Sequence, residues 1–324
     1  MIIPSTHSKR FFPVIGSADG VYCNAINDGS LLDFTGANQT VILGYKQFGF
    51  ESVPNLPGKS MWEGMVSKRL SRYTKTKHFR YFKNGSDAVS CSLRLARHLI
   101  QREIPKPEDE TRYKLPYRQK IGFLGYGGAN NEFAQLVNNN GVPHLENISR
   151  IVPTAEGFKP DNESYDIIVY ESRYQSVVNS MVAKYKICDH LKSGILGLDE
   201  STADFDLYGK SLANGYPVAV MTGKDDLMKH INNIFYSTTF GGENVGLEAI
   251  LQTIHEFEKV KREYLLKLEF AKQHLPKWQG VSEQKIKRYW QEKGILFNGF
   301  WQLMVPHTLE HIADLKEAIE EIGY

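Results

Sequence analysis

Cysteine is scarce in this chain. Its three residues, Cys23, Cys91 and Cys188, are odd in number and show no CxxC spacing, which argues against a disulfide framework or a zinc site and fits a reducing compartment. Long apolar runs are also missing, since no window approaches the roughly 18 consecutive apolar residues of a membrane span. The opening MIIPSTHSKRFF has no apolar signal core. The expectation is a cytoplasmic protein with no membrane partner. An excess of charge of either sign is lacking as well: 39 basic and 37 acidic side chains leave a net charge of +2, too small to imply nucleic acid as a partner. Lys and Arg are scattered and not gathered into a block, the pattern of a solvated surface. No internal repeat or low-complexity tract is visible, and no metal is expected.

What is present is an ordinary globular composition, 41% hydrophobic and 23% charged over 324 residues, enough for a large core and more than one lobe. GVYCNAINDGSLLDF carries an Asn-Asp-Gly turn between two β-rich segments, a hairpin signal. SMWEGMVSKRLSRYT spaces Met61, Met65 and Leu70 as on a helix face, and these read as core packing. An aromatic strand, HFRYF, leads through Asn84-Gly85-Ser86-Asp87 into a helix with apolar Val89, Leu93, Leu95, Ala96 and Leu99. Strands follow at IGFL, ISRIVPT and YDIIVYE, then a long amphipathic helix after Gly242, and a tail of helix, strand and helix. This alternation predicts an α/β protein built on a mostly parallel sheet covered on both faces, with a small α/β lobe at the end of the chain. The expected division is 1–45 for an N-terminal part of the small lobe, 46–250 for a large domain and 251–324 for the C-terminal small domain.

The candidate chemistry centres on residues 199–217, DESTADFDLYGKSLANGYP. Lys210 lies between two apolar runs, with Asp199 upstream at the end of GILGLDE. A lysine between buried strands with a carboxylate nearby suits an enzyme that works through a Schiff base. The turn at Gly85-Ser86 is compatible with an ordinary helix cap or with a phosphate cradle at a helix N-terminus. Tyr126, in Gly-Tyr-Gly-Gly after a buried strand, is either a core tyrosine at a turn or a ring laid against a flat ligand. Glu171 ends another strand, at the edge where open α/β sheets gather ligands. Ser237 to Gly242 form a second loop of hydroxyls and glycines ahead of a helix, able to offer donors to a phosphate.

The order of these segments resembles the class III aminotransferases of the fold-type-I pyridoxal-phosphate enzymes, and within them the glutamate-1-semialdehyde aminomutases. YFKNGSDAVSCSLRLAR is similar to the family's F-x-N-S-G-T-E-A-x-x-x-A-x-R-L-A-R, and GYGG stands where the family has Gly-Tyr-His-Gly. LGLDEST corresponds to a strand ending Asp-Glu-Val, and ADFDLYGKSLANGYPVAVMTG to P-D-L-x-x-x-G-K-x-x-x-G-G-x-P-x-x-A-x-x-G. STTFGGENVGLEAI is similar to G-T-F-x-G-N-P. The match runs over nearly the whole chain.

The resemblance implies pyridoxal 5'-phosphate bound to Lys210, with Asp199 on the ring nitrogen, Gly85, Ser86 and Thr239 on the phosphate, and Tyr126 stacked on the ring. It implies a homodimer with sites at the interface and a small-molecule amino substrate. Arg10 and Glu171 are the candidate substrate contacts. Departures from the family are a short interval between Asp199 and Lys210, Ala203 for a proline, Gly127 for the histidine after the stacking tyrosine, and a brief C-terminal lobe. The activity implied is an aminotransferase or aminomutase. A decarboxylase is the alternative within enzymes, and a catalytically inactive scaffold the alternative outside them.

Overall fold

The computed structural model describes residues 12–54, 60–103, 119–125, 148–151, 164–198, 203–276 and 281–323. In chain order the strands are β1 (Ile15–Asp19), β2 (Tyr22–Ala25), β3 (Gly29–Asp33), β4 (Phe79–Phe82), β5 (Ile121–Leu124), β6 (Ile148–Ile151), β7 (Tyr165–Glu171), β8 (Ala183–Asp189), β9 (Phe205–Tyr208), β10 (Ala219–Gly223) and β11 (Ile295–Leu296). The chain divides into two compact units. The larger holds 52–210 and 217–248, and the smaller holds 1–51, 211–216 and 249–324.

The larger unit is built on seven strands in the order β4-β10-β9-β8-β7-β5-β6. Neighbours from β9 to β6 pair in parallel, while β10 runs antiparallel to both β9 and β4. The expected mostly parallel sheet is therefore present. A sheet buried on both faces needs near-continuous apolar strands, and β7 shows how the sequence supplies them. Ile167 and Val169 pack on one face with Phe123, Ile187, Phe205, Leu207 and the helix Gly85–Glu103. Ile168 and Tyr170 pack on the other with Leu124, Val178, Met181 and Cys188. The helix Gly85–Glu103 buries Val89, Leu93, Ala96 and Ile100, the three-and-four spacing that puts one stripe against a sheet.

Two expectations need correction here. GILG is not a strand: Gly194–Gly197 form one turn of 3-10 helix, and the strand next to β9 is β8, which ends at Asp189. The helix Met61–Thr74 does form, capped by the Ser60 hydroxyl on the Trp62 N–H, but it buries Val66 and Leu70 and leaves Met61 and Met65 exposed. The two methionines share the helical spacing of the core residues but lie outside the packed stripe.

In the smaller unit, β1, β2 and β3 form an antiparallel meander, and β11 joins β3 in parallel. The Asn-Asp-Gly hairpin falls between β2 and β3 as read. Cys23, Ala25, Leu31 and Leu296 make its core. Asn214 is buried, accepting the Leu43 N–H at 2.8 Å and donating to the Gly44 carbonyl at 3.1 Å. The long helix Asn244–His274 and the helices Glu283–Lys293 and Leu309–Ile322 occupy the positions expected for the tail. Among the described residues, no helix is long and apolar enough to cross a membrane.

Candidate functional site

A parallel sheet brings the ends of its strands to one edge, and the chemistry of this chain is collected there. Glu171 closes β7 and stands opposite Asp189, which closes β8. Asp189 in turn stands opposite Leu207 of β9, and Lys210 follows β9 after one intervening glycine. β4 has the same direction, so the turn Asn84-Gly85 leaves the sheet on this edge too.

Leu191 ties these pieces together. Its N–H donates to Asp189 Oδ1 at 2.7 Å, which bends the chain back over the strand ends. A Cβ on Gly85 would meet Leu191 Cδ1 at 2.4 Å, and one on Gly209 would meet Leu191 Cδ2 at 2.8 Å. A side chain at either place would have to displace Leu191. The turn at Gly85, the aspartate and the residue before the lysine thus meet around a single residue, the glycines at its side chain and the aspartate at its N–H.

Lys210 has a left-handed backbone, φ 49°, a conformation a β-carbon makes costly and that is often found where chemistry is done. Burial disfavours its ammonium form, and the neighbouring Lys192 adds to that effect. Asp189 and Glu171 pull in the opposite direction, and the balance lowers the pKa, as a lysine that must act as a base requires. Glu171 is itself buried and holds two cations. Lys192 Nζ donates to Oε1 at 2.6 Å, and the Arg173 guanidinium lies 2.7 Å from Oε2.

Under Asp189, His190 and Asp206 form a buried pair, with Nε2 3.0 Å from Oδ1. The His190 ring lies stacked on Tyr208 with centroids 4.9 Å apart. Cys188 completes a buried group whose ligand-type atoms lie within 4.8 Å of one another. This packing holds the end of β8 in place.

Of the residues singled out in the sequence, Lys210, Gly85 and Glu171 are brought to the one edge. Ser86 is half-buried in the first turn of its helix, whose cap is the Asn84 side chain accepting the Asp87 N–H at 2.9 Å. Thr239 is exposed on its loop, where Gly241 comes close to the Tyr81 carbonyl of β4. Asp199, Tyr126 and Arg10 lie outside the described residues. Asp189 was missed in the sequence. The signal for its strand was there, because Ala183, Tyr185 and Ile187 alternate with Lys184 and Lys186 in the period of a strand.

No family model matches the chain. Its fold covers 97% of the chain and 91% of the ornithine aminotransferase from Toxoplasma gondii, at a TM-score of 0.73 and 17% identity. The architecture is fold type I. In sequence the chain is similar to the 3-aminobutyryl-CoA aminotransferase of Cloacimonas acidaminovorans, 22% identical over 276 residues. It is also similar to a glutamate-1-semialdehyde 2,1-aminomutase of Staphylococcus aureus, 24% identical over 190 residues. These matches take in 72% and 53% of the chain but only 62% and 41% of the relatives' own lengths, less than two thirds of either. The resemblance to aminotransferases and aminomutases read from the motifs is thus met by sequence relatives of both kinds and by the fold.

Proposed function

We propose that this chain is a pyridoxal-phosphate enzyme that transfers or relocates an amino group on a small amino compound, with Lys210 carrying the cofactor. One observation carries the reading. Around Leu191 meet an aspartate at a strand end, a glycine turn opening a helix, and the residue preceding a lysine whose ammonium form is disfavoured. Relatives named as an aminotransferase and an aminomutase support it. So does a structural neighbour whose active site holds the cofactor in part.

The residues fit the group: an amine for its aldehyde, a carboxylate for its ring nitrogen, and a helix start whose first residue, Gly85, carries no side chain where Leu191 packs. When bound, pyridoxal phosphate supplies an electron sink for the electrons left at the substrate's α-carbon. Lys210 Nζ takes the proton from that carbon and returns it to the neighbouring position. Asp189 keeps the proton on the ring nitrogen by charge, the role the motifs alone had given to Asp199. The N–H groups and macrodipole at the start of the helix Gly85–Glu103, with Ser86, hold the phosphate. Tyr126 against the ring, Thr239 on the phosphate and Arg10 as a substrate contact follow from the resemblance.

On the same reading, residues 46–250 form the cofactor-binding domain, and 1–45 with 251–324 the small lobe. The protein acts in the cytosol as a homodimer whose Thr239 loop reaches the partner subunit. Supporting the dimer, Phe235 and Phe240 flank Thr239 at 88% and 56% exposure, and such apolar surface marks a site of association. Supporting the cytosol, none of the three cysteines is disulfide-bonded.

Borohydride reduction of the protein loaded with pyridoxal phosphate is expected to fix the cofactor to the peptide containing Lys210. Lys210→Ala should retain none covalently. Purified protein with no cofactor absorbance, and none gained on adding pyridoxal phosphate, would overturn the proposal.

A further inference from the structure

We infer that Lys192, pinned in place by Glu171, reads an anionic group on the amino substrate, so that the preferred substrates are amino acids and not simple amines. The inference rests on the function proposed above and names the substrate class of the same site.

The argument begins with Glu171. Its side chain is only 8% exposed, and a buried carboxylate needs compensating charge. One cation would suffice, yet two are present. Lys192 donates to Oε1 at 2.6 Å and Arg173 approaches Oε2 at 2.7 Å. The group of three therefore keeps one unit of positive charge.

Arg173 has further engagements, lying over the Tyr174 ring at 4.8 Å and reaching the Gly125 carbonyl at 3.5 Å. Lys192 donates to Glu171 Oε1, and its side chain is 48% exposed. An ammonium carries three donors, so Lys192 can hold Glu171 and still offer donors to a ligand arriving from solvent. Its position suits that task. It follows Leu191, the side chain packed against Gly85 and Gly209, and its charge is felt at Lys210.

The other carboxylates at this edge have partners of their own. Asp189 is turned to the Leu191 N–H and, on the proposed reading, to the cofactor's ring nitrogen, while Asp206 is paired with His190 beneath the strand ends. A carboxylate on the substrate is the complementary partner for the excess charge.

The test uses pairs of substrates that differ only in that charge, such as β-alanine and its carboxamide. The cofactor's absorbance reports the reaction of the loaded protein with each. Native protein is expected to prefer the acid by about tenfold or more in kcat/KM, the scale of one charge-assisted hydrogen bond. Lys192→Met should bring the ratio close to one, and Lys192→Arg should restore it. Both members of a pair use the same Lys210, so any effect of the substitution on that lysine cancels in the ratio.

A second readout does not need turnover. Succinate titrated into cofactor-free protein by calorimetry should bind about tenfold more weakly to Lys192→Met than to native protein. An unchanged acid-to-amide ratio, or unchanged succinate binding, in Lys192→Met overturns this inference while leaving the cofactor proposal intact. Failure of borohydride to fix the cofactor overturns the latter, and the succinate titration still decides the role of Lys192.

Discussion

Asp189 and Asp199 make rival claims on one role, and a pair of conservative substitutions separates them. Asp189→Asn keeps an oxygen to accept the Leu191 N–H, which donates to Asp189 Oδ1 at 2.7 Å, but removes the charge. It is expected to cut turnover by about tenfold or more, since the ring nitrogen loses its ion partner and a shift of one pKa unit is about 1.4 kcal/mol. Asp199→Asn should stay within a few-fold of native. Stopped-flow measurement of the first half-reaction in both variants is the check, and the reverse ranking would return the role to Asp199. The choice also changes the reading of the interval before Lys210. Ten residues separate Asp199 from the lysine and twenty separate Asp189 from it. If Asp189 holds the role, the interval before the lysine is ten residues longer than the one counted from Asp199.

A second residue gives a stability prediction. His307 is fully buried, stacked on Phe34 at 4.4 Å, and its Nδ1 accepts the Met304 N–H at 2.8 Å. Burial pushes its pKa from 6.5 down to about 3. Between those values the unfolded chain takes up a proton that the folded chain refuses, so this contribution to stability is intact above 6.5 and is lost as the pH falls toward 3. At pH 5 the loss is about 2 kcal/mol. His307→Asn leaves an acceptor for Met304 and removes the titration. Urea unfolding at pH 7 and pH 5 is expected to show a smaller difference between the two pH values for the variant than for the native chain.

At the scale of elements, the helix Gly85–Glu103 and the turn after β8 are fitted to one another through Leu191. Gly85→Ala places a methyl 2.4 Å from Leu191 Cδ1, and overpacking of this kind costs about 1–3 kcal/mol. The clash disappears if Leu191 is shortened, so Gly85→Ala with Leu191→Ala should be less destabilised than the sum of the single changes. A double-mutant cycle by urea unfolding measures the coupling, and simple additivity would mean that the contact carries no energy.

β8 shows where element-scale reading reaches its limit. Its alternation is legible, but AKYKICD contains two lysines and resembles an exposed segment, whereas GILG is apolar throughout and turns once as a 3-10 helix. Backbone pairing on both sides, with β7 and β9, makes the first a central strand, and Lys186 satisfies its charge on the Val178 carbonyl at 2.8 Å.

For the whole molecule, the proposed dimer makes a direct prediction. Light scattering should give twice the chain mass of 36.9 kDa. Phe235→Asp with Phe240→Asp should shift the protein toward monomer, because charge is poorly tolerated where an apolar surface is buried. A native monomer that holds the cofactor tightly would exclude the interface.

The sequence by itself determined the α/β class, the helix stripe of Val89, Leu93 and Ala96, the hairpin at Asn-Asp-Gly and the lysine in its turn. All of these are set by local periodicity and turn chemistry, which act over a few residues. Which strand lies beside which is not a local property. It depends on pairing between segments far apart in the chain, and so only the tertiary structure put β8 between β7 and β9, set Asp189 at the sheet edge near Lys210, and laid Leu191 against two glycines separated by more than a hundred residues.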